Sequence, residues 1–191
     1  MPNHVTVDFW LDPSCPYTWN ASRWLLEVTR VRPVTVRWQL LSLSALNEHL
    51  EVDPEGDTEG YLWYPARVCA AVELEHGKEA LGAFYSAYGK RDDWDFAAAL
   101  TEAGLPAELA ERAGDTTLDD FLRASTARGI DRVGPHVGTP IVAAGQVAFF
   151  GPVISEIPSG EAAGRLWDGL LLVAGTPGFH ELKGSPAPED P

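Results

Sequence analysis

The first forty residues of the chain admit few arrangements. Val5-Thr-Val-Asp-Phe-Trp-Leu11 is apolar, β-branched and aromatic, and Asp12-Pro13-Ser14-Cys15-Pro16 is a proline-punctuated turn. Tyr17–Val28 then repeats apolar residues at helical spacing, and Thr35–Leu43 reads as a second strand. Strand, helix and strand in that order open a βαβ unit and predict an α/β fold. Cys15 falls where the first strand gives way to the helix. Free N–H groups and the positive end of the helix dipole favour a thiolate there, so the position predicts a thiol more acidic than the ~8.5 of a free cysteine. In a C-x-x-C redox motif position 18 is the second cysteine; here it is Thr18. Thiolate chemistry is expected, without a partner for an internal disulfide.

Composition narrows the class by exclusion. With 191 residues, 45% of them hydrophobic, the chain is long enough for one domain, or for one domain with an insertion. Fourteen Lys and Arg against 28 Asp and Glu give a net charge of -14, which excludes nucleic acid and anionic membrane surfaces as partners. Two cysteines make no disulfide framework of the secreted type. Met1-Pro-Asn-His has neither the basic nor the apolar region of a signal peptide. The richest apolar stretch, Pro140 to Ile154, is broken by Gly145, Gly151 and Pro152. A soluble, cytoplasmic protein with reduced thiols is expected.

Residues 45–64 are acidic and turn-rich and read as a solvated loop. Residues 65–132 read as helical. Val68, Ala71, Val72 and Leu74 form one stripe, continued by Leu81, Phe84, Tyr85 and Tyr88, and Phe96, Ala99, Leu100 and Ala103 form a second. Pro106 is placed to open a third helix, and Thr117-x-x-Asp120 resembles a capping box. Thr139–Ala144 and Val147–Phe150, joined at Gly145-Gln146, predict a β-hairpin. Ser159-Gly-Glu161 caps a helix carrying Leu166, Trp167, Leu170 and Leu171, and no internal repeat is present.

A βαβ opening with a cysteine at its turn, a helical insert, and a ββα ending with Gly138-Thr139-Pro140 before the hairpin together resemble a thioredoxin-like fold of the DsbA type. The resemblance implies a thioredoxin-like domain over 1–64 and 133–183, a helical subdomain over 65–132 and a disordered tail over 184–191. It also implies a cis bond before Pro140, which turns the Thr139 backbone toward the sulfur. The phrases Asp8-Phe-Trp-Leu-Asp-Pro-Ser-Cys-Pro16, Ser22-Arg-Trp-Leu-Leu-Glu-Val28, Leu43-Ser-Ala-Leu-Asn-Glu48 and Ala103-Gly-Leu-Pro-Ala-Glu-Leu109 are similar to the mycothiol-dependent nitroreductases of actinobacteria. So are Val137-Gly-Thr-Pro140, Val147-Ala-Phe-Phe-Gly-Pro-Val153 and Gly160-Glu-Ala-Ala-Gly-Arg-Leu-Trp-Asp-Gly169. Members of that family typically carry C-P-W-C where this chain has Cys15-Pro16-Tyr17-Thr18. The resemblance implies Cys15 as nucleophile, Pro16, Tyr17, Asn47, Thr139 and Pro140 around the substrate, and mycothiol or a similar low-molecular-weight thiol as cosubstrate. The resolving cysteine does not carry over.

Other residues have two readings. Cys15 is an activated nucleophile or an inert thiol, and Cys69, on an apolar stripe, is core or a remote resolving cysteine. Thr18 fills the vacated volume or donates a hydrogen bond to sulfur. Trp10, Trp19, Trp24 and Trp63 are core or pocket wall, and His136 is a loop residue or a proton donor to Cys15. Five scattered histidines have no metal-ligand spacing, and no phosphate-binding glycine loop occurs, so no bound cofactor is expected. Three functions follow. One is a monothiol oxidoreductase linked to mycothiol. Another is a cofactor-free cis–trans isomerase working by reversible Cys15 addition to an unsaturated acyl or polyketide-like substrate, and the last is a non-catalytic binding protein. The partner in each is a small molecule, and a homodimer stays open.

Overall fold

The computed structural model describes residues 4–91 and 93–184. Apart from Gly184, the expected tail therefore lies outside the described residues. The first strand, β1 (Val5–Leu11), leads through the Cys15 turn into α1 (Pro16–Val31) and back to β2 (Val34–Leu40), which pairs parallel with β1 in the register Val5↔Val34. After a helical stretch the chain returns as β3 (Ile141–Ala144) and β4 (Val147–Phe150). β3 runs antiparallel to β1 and β4 antiparallel to β3, giving the sheet order β2-β1-β3-β4. The last helix, α6 (Gly160–Ala174), packs beside α1. Between the two halves of the sheet lie α2 (Leu43–Asn47), α3 (Trp63–Tyr88), α4 (Phe96–Glu102), two 3-10 turns and α5 (Asp119–Val133).

The core follows the alternation of the strands. Val7, Phe9 and Leu11 of β1 are fully buried, and they meet Trp24, Leu25 and Val28 of α1 and Leu81, Phe84 and Tyr85 of α3 in one cluster. A smaller cluster of Trp10, Leu41, Leu43, Ile141 and Ala143 lies beneath Cys15. Trp24 is completely buried, donates its indole N–H to Ala163 O at 3.2 Å, and sits 6.2 Å from the Trp167 ring of α6. α3 bends at Gly77, whose φ of 87° lies in the region open to glycine and strained for other residues.

Several expected boundaries move. β2 stops at Leu40 because Ser42 takes the N-cap of α2, its hydroxyl accepting from Ala45 N at 3.2 Å, so Leu43 is helical rather than strand. The segment after Pro106 winds as a 3-10 helix, Ala107–Gly114. The capping box at Thr117 does not form. Asp115 accepts the Thr117 N–H instead, a second 3-10 turn occupies Thr116–Leu118, and Leu118 stands at the N-cap of α5 without a side-chain bond. Ser159 holds the N-cap position of α6 but makes no capping bond. Leu74 is exposed, off the buried stripe of Val68, Ala71 and Val72.

Candidate active site

Cys15 is the N-cap of α1. Its carbonyl accepts the first helical bond from Trp19 N at 3.1 Å, Pro16 takes the first helical position, and no side chain caps the helix. The N–H groups of Tyr17 and Thr18 are therefore free to face the sulfur, and together with the Thr18 hydroxyl they favour its anion. Burial outweighs them. It pushes the half-buried Cys15 thiol above its ordinary range, and the charge of Asp12 pushes the same way. The acidic thiol expected from the helix terminus alone is thus corrected to one that is protonated near neutral pH. Helix position is visible in a sequence, whereas the desolvation that overrides it is not.

Asp12 holds the turn. It is 1% exposed, and its two carboxylate oxygens accept Ser14 N and Leu43 N, each at 2.7 Å. It thereby ties the Cys15 loop to the start of α2. Burial raises its pKa to about 6 against the pull of those two N–H groups. Sequence reading passed over this residue.

On the other side of the sulfur the Thr139–Pro140 peptide bond is cis, as the family resemblance implies; Gly151–Pro152 is cis as well. The Cys15 thiol donates to Thr139 O at 3.8 Å. Thr18 and Thr139 are both buried, with their hydroxyls 3.0 Å apart, and the Thr139 hydroxyl donates to Trp10 O at 3.2 Å. Cys15, Pro16, Thr18, Thr139 and Pro140 therefore converge. Tyr17 is exposed next to the sulfur.

A cleft of about 340 Å³ opens at Cys15, lined by Pro13, Ser14, Pro16, Trp19, Leu62 and residues from the end of α3. Trp19 is gripped between elements: the Arg23 guanidinium lies 4.1 Å from its ring, and Tyr85 meets it edge-on at 5.6 Å. Leu62 arrives because Asp57 accepts both Tyr61 N and Leu62 N at 2.8 Å. Tyr85, Tyr88, Arg91 and Trp94 also line the cleft, and none was singled out from sequence. Tyr85 and Tyr88 belong to an apolar helical stripe, and periodicity alone does not separate a core stripe from a cleft wall.

Of the expected site residues, Cys15, Pro16 and Trp19 line this cleft; Tyr17, Thr18, Thr139 and Pro140 stand beside Cys15 off that lining, and the rest lie elsewhere. Trp10 is 5% exposed and packs under Cys15 as core, offering the site only its carbonyl. Asn47 and Trp63 line a separate depression with the acidic loop around Asp53 and Asp57. There Trp63 is flanked by Arg67 and Arg123, at 5.2 and 5.7 Å from its ring. His136 is exposed on the loop before β3, with a positive φ of 72°. Trp24 is core, and Cys69 is fully buried in α3, its thiol pushed well up by desolvation.

The chain matches the family model described as Rv2466c-like, mycothiol-dependent nitroreductase Rv2466c, over residues 14–184. An uncharacterized protein of Mycobacterium tuberculosis, Rv2286c, is 30% identical over 97% of this chain and 84% of its own length. Among solved structures, the cytosolic disulfide reductase DsbM from Pseudomonas aeruginosa superposes with a TM-score of 0.52 at 18% identity, covering 87% of this chain and 98% of that one. A 2-hydroxychromene-2-carboxylate isomerase superposes with a TM-score of 0.54 at 14% identity, covering 76% and 88%. These likenesses show a thioredoxin-like, DsbA-type fold.

Proposed function

Because the chain belongs to the Rv2466c-like family of mycothiol-dependent nitroreductases, we propose that it is a thiol-dependent enzyme with Cys15 as its single covalent nucleophile. On this reading it is a monothiol oxidoreductase that uses mycothiol as cosubstrate and reduces small aromatic or conjugated molecules. One observation carries the reading. Cys15 opens onto an aromatic-walled cleft, a threonine hydroxyl stands where a resolving thiol would be, and Cys69 is sealed in the core.

The chemistry balances with one protein thiol. A nitroarene, Cys15–SH and one mycothiol give the nitrosoarene, water and the Cys15–mycothiol mixed disulfide, the two thiols supplying two electrons and two protons. A second mycothiol attacks the mycothiol sulfur of that disulfide, releasing mycothiol disulfide and Cys15–SH. Trp19, Tyr85, Tyr88 and Trp94 give a flat ring apolar walls, and the Thr139 backbone faces the sulfur. In the same proposal residues 65–132 are a helical insert supplying one wall of the cleft to a domain formed by 1–64 and 133–183. A cytoplasmic location fits a thiol that must stay reduced, and no helix among the described residues is long and apolar enough to cross a membrane.

Thr18→Cys tests the reading against cofactor-free isomerisation. Restoring C-P-Y-C makes resolution intramolecular, so turnover of a nitroarene with mycothiol should hold or rise. An isomerase acting by reversible addition to a conjugated alkene would lose activity in air, as the new thiol captures Cys15, and recover it with strong reductant. Retention of full activity by Cys15→Ala on either substrate would remove Cys15 as nucleophile for that reaction.

A further inference from the structure

The residue that replaces the resolving cysteine is part of a chain of hydroxyls. The Trp10 carbonyl can only accept, so the Thr139 hydroxyl spends its proton there at 3.2 Å. The 3.0 Å contact between the two threonines is then made by the Thr18 hydroxyl donating to Thr139 Oγ1. In this resting state the proton of Thr18 points away from the sulfur, and the thiol gives its own to Thr139 O at 3.8 Å. Thr18 and Thr139 are buried and Cys15 is half-buried, so the two threonine hydroxyls exchange their hydrogen bonds out of contact with solvent, beside the sulfur.

We propose that Thr18 and Thr139 form a two-state positioning relay that withholds a hydrogen bond from the protonated Cys15 and delivers it when the sulfur becomes anionic. In the second state Thr139 releases Trp10 O and donates to Thr18 Oγ1, and the Thr18 hydroxyl turns to the thiolate. The sulfur gains one donor while the Trp10 carbonyl loses one. Thr139 thus restrains ionisation, because charging the sulfur costs its bond to Trp10, and Thr18 promotes it. The relay rests on Cys15 as the nucleophile of the reading above, but it is read out without turnover.

The test is the titration of Cys15 by thiolate absorbance and by alkylation rate against pH, in a Cys69→Ala background. Thr18→Val should raise the midpoint by roughly one pH unit, the size of a hydrogen bond to a charged group, and Thr18→Ser should restore it. Thr139→Val should shift the midpoint the other way, since Thr18 then loses Thr139 Oγ1 as its acceptor and turns to the sulfur, and Thr139→Ser should restore it. The double valine variant should behave as Thr18→Val alone. A fall with Thr18→Val, an unchanged midpoint, or shifts of the same sign from both valine variants would overturn the relay. Near-UV circular dichroism separates these results from misfolding, with the serine variants as the folded reference. Opposite shifts in a protein without mycothiol-dependent turnover would keep the relay and sink only the proposed function.

Discussion

At the scale of single residues, the site sets two acids against each other. Cys15 has the N-cap position of an α-helix, yet desolvation and the nearby Asp12 carboxylate hold its proton. Its alkylation midpoint should therefore lie above the free-thiol value of about 8.5. Asp12→Asn, which removes the negative charge, should lower it; a midpoint well below 8 in the native protein would mean that the helix terminus dominates after all. Asp12 makes a second, independent prediction. Its pKa of about 6 in the fold stands above the ordinary aspartate value of about 4, so between those values the native state binds more protons than the unfolded chain. Stability contributed by this group falls as pH rises from about 4 to 6, by roughly 3 kcal/mol for a gap of two pH units. Urea unfolding of wild type and Asp12→Asn at several pH values checks this, because the other carboxylates cancel in the difference. The stability of the variant relative to wild type should climb across that window. A flat or falling difference would mean that the fold does not raise the Asp12 pKa, so that its two N–H partners match or outweigh burial.

Elements meet at Gly89, the C-cap of α3. Its φ and ψ of −68° and −4° suit any residue, but a Cβ there would lie 2.3 Å from Cε3 of Trp19. The glycine is thus required by close approach and not by backbone conformation. Gly89→Ala should push the Trp19 ring from its place between Arg23 and Tyr85 and cost about 1–3 kcal/mol, as overpacking does. A thermal melt together with tryptophan fluorescence would show it. An unshifted melt with native fluorescence would mean that Trp19 is not wedged there. This contact illustrates what is legible in the sequence and what is not. β1 shows as an apolar, β-branched and aromatic run, β4 as the apolar run after Gly145-Gln146, and the turn at Cys15 in its prolines, because those patterns are local. The end of β2 is hidden, since it depends on Ser42 capping α2 and on Asp12 taking the Leu43 N–H from thirty-one positions away. Tyr85 and Tyr88 were readable as apolar and helical, but their place at the cleft depends on α1 lying alongside.

Across the whole molecule, the fold divides its two thiols between opposite environments. Cys15 sits at the mouth of a cleft made by the α1 turn, the segment ending at Leu62 and the end of α3, whereas Cys69 lies inside α3 with no exposed surface. The sequence shows Cys69 on an apolar stripe and Cys15 at a turn, which leaves Cys69 as core or resolving cysteine and Cys15 as nucleophile or inert thiol; the fold puts Cys69 in the core. The composition of the cleft was not legible, because three segments distant in sequence build it. The difference in burial between the two thiols sets the expected outcome of oxidation. With mycothiol disulfide the native protein should gain the mass of one mycothiol less two hydrogens, all of it on Cys15, with one mycothiol released, and Cys69 should react with alkylating reagent only after denaturation. A bridge between the two cysteines needs their Cα atoms within about 7 Å and the thiol of Cys69 out of the apolar cluster it shares with Val68, Ala71 and Val72. Breaking that packing removes a buried side chain from the core, which costs on the order of 1–3 kcal/mol. Mild oxidation should therefore give Cys15 adducts or Cys15-linked dimers. A quantitative loss of two mass units within one chain, with no adduct, would show that α3 opens far enough to present Cys69, and a two-cysteine cycle would replace the monothiol one.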